Sequence, residues 1–372
     1  MIYLDNAANS VVDERVLENF VMVTKDYIAN PNSSHFEGVR AMKRIDSSRE
    51  KIASYFNCDK ESVIFTSGAS EANNLVIKGI AFRNDKNKNI IISSVEHSSV
   101  VAPANYLASL GYKVYVVPVL ENGKVDVSEI KRLINDNTIL VSICAVDSEL
   151  GIIQPISEIK DIVKNYPNCF FHTDATQAVG KTKMDFSGVD FITFAPHKFY
   201  GLNGSGVLLN VNNKPLVPII HGGKSVTKYR SGTPDIAAIT SLEVALSLAM
   251  DNLDDRYQYV SGLNKYLKDS LDLSYVHINS TEDSIPNTLN ISLKGIPKKY
   301  VLQELEKENI YISSTSACSN SDMSKTVYMM TKDEELANNT LRINISFKNT
   351  KEEIDTFIKV FKKVCEGYNE NN

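Results

Sequence analysis

The sequence predicts an α/β protein with a mostly parallel seven-stranded sheet covered by helices, followed by a smaller α+β C-terminal domain. Three observations carry this. First, seven β-rich runs lie between residues 60 and 210: "SVIFTS", "NIIISSV", "KVYVVPV", "TILVSICAV", "CFFHTDA", "DFITFAP" and "GSGVLLNV". They are nearly continuous in apolar character and separated by helical stretches, the pattern of strands buried on both faces. Second, "GSGVLLNV" follows "DFITFAP" after only a glycine-rich turn, which points to one antiparallel strand. Third, the rhythm changes after a long helical pattern that starts near "DIAAITSLEVALSLAMDNL" and continues through "YQYVSGLNKYLKDSL". Beyond it "NTLNISL", "IYISS" and "LRINIS" mix strands with the closing helix "KEEIDTFIKVFKKVCEGY". The expected division is an N-terminal segment 1–14 packing with the small domain, a large domain 15–254 and a small domain 255–372.

Bulk properties exclude several classes. The 372 residues are 43% hydrophobic and 23% charged, as in ordinary soluble domains, and a formal net charge of -5 supplies no attraction for nucleic acid or an anionic membrane. No run approaches a membrane span, and "MIYLDNAANSVVDER" lacks the basic and long apolar regions of a signal peptide, so a cytoplasmic location is expected. The five cysteines, Cys58, Cys144, Cys169, Cys318 and Cys365, are odd in number and widely spaced, which indicates neither a disulfide framework nor a metal knuckle.

Several segments fall at strand ends, where the loops of such sheets converge on ligands. "FTSGASEANN" reads as strand, small-residue turn and helix with Glu71 in the first turn. It suits a phosphate at the free N–H groups, or equally a plain helix start capped by Ser70. In "SSVEHSSV", His97 follows a strand as a structural residue or as a flat ring for stacking on an aromatic ligand. In "FFHTDATQAVGK", Asp174 leaves a hydrophobic strand, either to meet a cationic ligand atom or to cap a helix over "ATQAVG", with Gln177 three residues on. Lys198 in "APHKFYG" is by composition a surface lysine, yet in a partly dry site its amine becomes a nucleophile able to form an imine. An imine lysine, an aspartate for a ring nitrogen, a stacking histidine and a helix N-terminus for phosphate are together what pyridoxal 5'-phosphate (PLP) needs.

At this point the chain resembles the cysteine desulfurases of the NifS and IscS kind, within the class V aminotransferases of PLP fold type I. "YLDNAAN", "NPNSSHFEGVRA", "FTSGASEANN", "VEHSSV", "ELGIIQPI", "HTDATQAVGK", "APHKFYG", "YRSGTPD", "SSTSACS" and "LRINIS" occur in family order. The resemblance implies that Lys198 holds PLP, Asp174 pairs with its ring nitrogen, His97 stacks on the ring and Gln177 bonds the phenolic oxygen. It implies that Ala69, Ser70 and His197 hold phosphate, joined by Thr233 from the other subunit of a homodimer, and that Arg342 grips the substrate carboxylate. Cys318 would be the nucleophile that takes sulfur from L-cysteine as a persulfide, releasing alanine and passing sulfur to an acceptor protein for iron-sulfur cluster or thiolation pathways.

The sequence departs from the family pattern at named positions. Asp147-Ser148 replaces a pair of asparagines, which bears on the cofactor contact expected at Ser148. Ala195 replaces a phosphate-binding serine and keeps only a backbone N–H there, since Pro196 has none. The glycine-rich stretch before "RSGT" carries Lys224 and Lys228, and Thr315 stands where the cysteine loop has a glycine. The competing expectations are another C–S or C–Se lyase, such as a selenocysteine lyase, a class V aminotransferase, and a weakly active scaffold. The cysteine motif speaks against an aminotransferase, which has no use for a nucleophilic loop thiol.

Overall fold

The computed structural model describes residues 1–223, 225–314 and 322–371. The first strand, β1, is Ile2–Tyr3, and the seven expected runs form β2 (Val63–Thr66), β3 (Asn89–Ser93), β4 (Lys113–Val117), β5 (Thr138–Ser142), β6 (Phe170–Asp174), β7 (Phe191–Phe194) and β8 (Gly206–Asn210). They make one sheet in the order β2-β8-β7-β6-β5-β3-β4. Pairs from β4 through β7 are parallel, whereas β8 runs antiparallel to both β7 and β2. The short glycine turn before β8 therefore does what the sequence implied.

Helices follow the strands and cover both faces. α1 (Glu14–Asp26) and α2 (Phe36–Ser54) precede β2, and α3 (Ala69–Ala81), α4 (Ser98–Ser109), α5 (Val127–Leu133) and α6 (Ile156–Val163) alternate with the parallel strands. One face buries Leu75, Val76, Ile80, Val100 and Leu107 of α3 and α4 against Ile90, Leu140 and Leu208. The other buries Ile159 and Val163 of α6, with Leu242 and Leu246 from a later helix, against Val141, Phe171 and Ile192. Each such fully buried aliphatic side chain contributes roughly 1.5–3 kcal/mol relative to exposure.

The long helical pattern after residue 235 is a correction to the sequence reading. It is two helices, α7 (Ile236–Met250) and α8 (Leu253–Ser270), bent by 64° at Asp251-Asn252. Both halves keep helical spacing, so periodicity cannot show a break whose cause is that they pack on different cores. Leu242 and Leu246 of α7 lie against the large sheet, while Val260, Leu263 and Leu267 of α8 join a separate cluster.

That second cluster gathers β9 (Val276–Ile278), β10 (Thr288–Leu293), α9 (Lys298–Lys307), β11 (Ile310–Tyr311), β12 (Thr340–Asn344) and α12 (Lys351–Asn371), with α10 (Lys325–Thr331) and α11 (Glu334–Asn338) between β11 and β12. Its sheet, β12-β10-β9, is antiparallel. The chain start belongs with it: β1 pairs in parallel with β11, and Leu4 is fully buried in the same cluster. From there the N-terminal segment crosses to the large sheet, where Ser10 N–H and Oγ–H both donate to the His197 carbonyl at 2.8 Å. No single helix among the described residues is long and apolar enough to cross a membrane.

Candidate active site

The parallel strands β3, β5, β6 and β7 end on the same edge of the sheet, and a cavity of about 370 Å³ opens there, a size that suits a small ligand. Its wall includes Ser70, His97, Ser148, Asp174, Gln177, His197, Lys198 and Arg342. Residues from Ser70 to Arg342 thus meet because each follows a neighbouring strand end, or, for Arg342, lies on β12 beside the N-terminal segment.

The turn after β2 places α3 so that its first N–H groups face this cavity. The helix starts at Gly68 without a side-chain cap, and Ser70 sits inside the first turn rather than capping it. Glu71 reaches back to the Ser67 N–H at 2.8 Å and is clamped by Arg230 Nε at 3.0 Å, which pulls its carboxyl below the usual range despite burial. β8 lies hard against the turn: a Cβ at Gly206 would come within 2.5 Å of the Gly68 carbonyl carbon, so only glycine fits. The uncapped positive end of α3 is left for an anion.

His97 both caps α4 and faces the cavity. Its Nδ1 accepts from the Ser99 N–H at 3.1 Å and lies 2.8 Å from Ser99 Oγ, and burial pushes its pKa down. The ring is therefore neutral, with its proton on Nε2. Asp174 ends β6 with one carboxylate oxygen on the Thr176 N–H at 3.0 Å and the other on Asn73 Nδ2 at 2.8 Å. The helix expected over "ATQAVG" is a turn instead, so Asp174 holds a bend and keeps its carboxylate on the cavity. Gln177 donates to the Ala7 carbonyl at 3.0 Å and accepts from Lys181 Nζ at 2.5 Å.

Lys198 lies in a single 3₁₀ turn, Pro196–Lys198, just past β7. Its Nζ donates to the Ala7 and Ala8 carbonyls at 2.7 and 2.6 Å, so the N-terminal segment holds the amine at the cavity. His197 is pushed down to about 4, first by burial and then by the nearby lysines, so it can serve an anion as a neutral N–H donor and not as a cation.

Arg342 is only 1% exposed, yet its guanidinium reaches the wall. Nη1 donates to the Ser148 carbonyl at 2.7 Å, Nη2 to Asp5 Oδ1 at 3.0 Å and Nε to Ser313 Oγ at 3.1 Å. Among the described residues three of its five N–H donors are used, which leaves one on each Nη for a carboxylate.

Other expected positions fall elsewhere. Ala195 is fully buried, and the cavity wall at this point is His197 and Lys198. Asp147 explains its own departure from the family pattern: its carboxylate accepts the N–H groups of Glu149, Leu150 and Ile152 at 2.7 to 2.9 Å and ties the loop that carries Ser148. Thr233 is not on the cavity wall; it lines a neighbouring pocket with Ser205 and Arg230 that shares Ser67 with the cavity. Lys228 is exposed with its Nζ over the Tyr229 ring, 5.1 Å from the centroid. Lys224, Thr315 and Cys318 lie outside the described residues. The thiols of the other four cysteines are all raised by burial, which makes them poor nucleophiles.

Sequence reading passed over Glu96, next to His97. It is buried, accepts from Ser93 Oγ–H and the Cys144 N–H on Oε1, and leaves Oε2 without a partner. Burial raises its pKa from 4.5 to about 8. Because the folded carboxyl binds its proton more tightly than the unfolded one, the contribution of Glu96 to stability is fully present below about pH 4.5 and is lost as pH rises toward 8. Glu96→Gln, always neutral and of the same shape, is expected to flatten the decline in Tm across that window by roughly 2 °C per pH unit. Thermal melts of both proteins at pH 5, 6, 7 and 8 check this; parallel curves would mean that Glu96 is ionised in the fold.

The residues on the cavity fit PLP: an amine, a carboxylate, a flat neutral ring and an uncapped helix N-terminus face one space of the right order of size. Comparisons with known proteins agree. Residues 2–357 match the family model described as aminotransferase class-V. A "NifS/IcsS protein homolog" of Lactobacillus delbrueckii subsp. bulgaricus is 36% identical over 100% of this chain and 99% of its own length. A "Cysteine desulfurase IscS" of Dictyoglomus turgidum is 34% identical over 98% of this chain and 94% of its own. Among solved structures, a "NifS-like protein" superimposes with a TM-score of 0.93 at 32% identity, covering 98% and 99% of the two chains. One titled "SspA in complex with cysteine" gives a TM-score of 0.83 at 31% identity over 94% and 100%.

Proposed function

This chain belongs to the aminotransferase class-V family, in its NifS/IscS-like branch, and on that premise we propose that it is a PLP-dependent cysteine desulfurase that converts L-cysteine to L-alanine. The observation that carries the proposal is the meeting of Lys198, Asp174, His97 and Arg342 on one cavity. The names of the full-length relatives, and a similar structure titled as a complex with cysteine, support it.

When bound, PLP supplies an electron sink for the charge released at an amino acid's α-carbon. Lys198 would hold it covalently, Asp174 would face its ring nitrogen, His97 would lie on the ring, and Ala69, Ser70 and His197 would meet its phosphate at the N-terminus of α3. Arg342 orients the substrate by its carboxylate, which puts the α-hydrogen within reach of Lys198 Nζ as proton carrier. The Cys318 thiolate then attacks the substrate sulfur: the substrate C–S bond breaks, an S–S bond forms, and the carbon gains a proton to leave as alanine. Sulfur remains as a Cys318 persulfide for an acceptor protein.

The same proposal includes a homodimer in which Thr233 completes the phosphate site of the second copy; its exposure, and its absence from its own chain's cavity wall, support this. It also includes the domain limits 15–254 and 255–372 with segment 1–14 on the small domain, supported by the separate hydrophobic clusters and by the pairing of β1 with β11.

Purified protein given L-cysteine and a thiol reductant is expected to form alanine and sulfide in equal amounts. Cys318→Ala is expected to slow alanine formation at least about 100-fold, because the attacking nucleophile is gone. If the wild type makes alanine no faster than this variant, the desulfurase reading is wrong.

A further inference from the structure

Beneath the cavity floor, the fully buried Asn73 of α3 touches both Asp174 and the support of His97. Its Nδ2 donates to Asp174 Oδ2 and to Ser99 Oγ, each at 2.8 Å, and its Oδ1 accepts from Thr193 Oγ1 at 2.6 Å. All the amide's hydrogen-bonding groups are thus engaged, and its orientation is forced: turned over, its oxygen would face the Asp174 carboxylate.

These contacts assign the protons of a whole chain of groups. Ser99 Oγ accepts from Asn73, so its own hydrogen goes to His97 Nδ1 at 2.8 Å. On the other side Thr193 Oγ1 donates to Asn73 and can accept from His172 Nε2 at 3.3 Å, which leaves His172 Nδ1 to accept from Ser142 Oγ at 2.8 Å. Every member is buried except His97, which opens on the cavity. The donors therefore run one way, from Ser142 through His172 and Thr193 to Asn73. There the chain branches to the Asp174 carboxylate and, through Ser99, to the His97 ring.

We propose that Asn73 is a positioning residue that sets Asp174 and His97 jointly, holding the carboxylate in place and, through the Ser99 hydroxyl, fixing the orientation of the imidazole that the Ser99 N–H keeps in its Nε2–H form. The inference rests on the reading that this cavity takes PLP with those two residues against its ring. The branch makes the two contacts interdependent: moving the amide to favour one side loosens the other. Asn73 touches neither substrate nor cofactor, so its effect passes through its neighbours.

The test uses Asn73→Leu, which removes all three contacts at similar volume, and Ser99→Ala, which cuts only the His97 branch. Three quantities are read: the Kd for PLP by equilibrium dialysis into cofactor-stripped protein, the visible circular dichroism of the bound cofactor, which reports ring orientation, and the Tm of the cofactor-free protein. Asn73→Leu is expected to raise Kd at least about tenfold and alter the visible dichroism, since hydrogen bonds to a charged group are lost. Ser99→Ala is expected to alter the dichroism with a smaller, few-fold rise in Kd. A fall in Tm with Kd and dichroism unchanged in both variants would make Asn73 a structural residue only and overturn the inference. If Asn73→Leu does not fold, Ser99→Ala decides alone by its dichroism. Asp174→Ala separates the two levels: an unchanged Kd there overturns the cofactor reading itself, whereas a raised Kd there with unaltered Asn73→Leu overturns only the role of Asn73.

Discussion

Lys198→Ala is expected to lose essentially all turnover, by at least about 10⁴-fold, because in the proposed mechanism this one side chain would supply both the covalent hold on the cofactor and the carrier for the substrate's α-proton. Its amine is held by the Ala7 and Ala8 carbonyls at 2.7 and 2.6 Å, contacts a methyl side chain cannot make. Alanine formation measures the loss. A second measurement fixes its cause: borohydride treatment of the loaded wild type should leave the cofactor on the peptide containing Lys198, and on no peptide of the variant. Residual turnover within tenfold of wild type would mean that another amine carries the proton. Lys181 is the candidate to examine then, since burial and the neighbouring Lys198 and Arg342 push it down to about 7.

Arg342→Ala is expected to lower kcat/KM for L-cysteine by about 10² to 10³, mainly through KM, since in the proposed mechanism the substrate carboxylate loses its two-donor partner. Asp5 makes the loss larger than a single missing contact, because its carboxylate, 3.0 Å from Nη2, is left without its counter-charge. Ser313, which bonds both Asp5 and Arg342, loses half of its support as well. Arg342→Lys is expected to recover only part of the activity, since an ammonium cannot match a carboxylate with two parallel N–H donors. Initial rates across a range of cysteine concentrations decide it; an unchanged KM in Arg342→Ala would show that the substrate carboxylate is held elsewhere.

Much of this site was readable in the chain because its signals are local. Lys198, Asp174 and His97 each stand just past an apolar run, and a strand end followed by a polar residue can be seen without knowing the neighbours. The antiparallel β8 was equally visible, because the turn before it is too short for anything else. What escaped shares the opposite property. Asp5 meets Arg342 across 337 positions, and Asn73 meets Asp174 across 101. Neither partner carries a local mark: Asn73 sits in a helix like any buried polar residue, and Asp5 precedes a turn. Glu96 has no local mark either, and its bond to the Cys144 N–H exists only because two separate strand ends meet. The break between α7 and α8 was missed for a related reason, since both halves read as helix and only the choice of core bends the chain.

By itself, then, the sequence determined the strand order of character along the chain, the one reversed strand, and which residue types reach the ligand edge, because apolar period and turn length act within a few residues. The tertiary structure alone decided which charges face each other. It put Asp5 behind Arg342 and Asn73 beneath Asp174 and His97. Ion pairs and buried hydrogen bonds depend on distances of about 3 Å between groups far apart in the chain, and those distances exist only once the sheet and the N-terminal crossing have closed around the cavity.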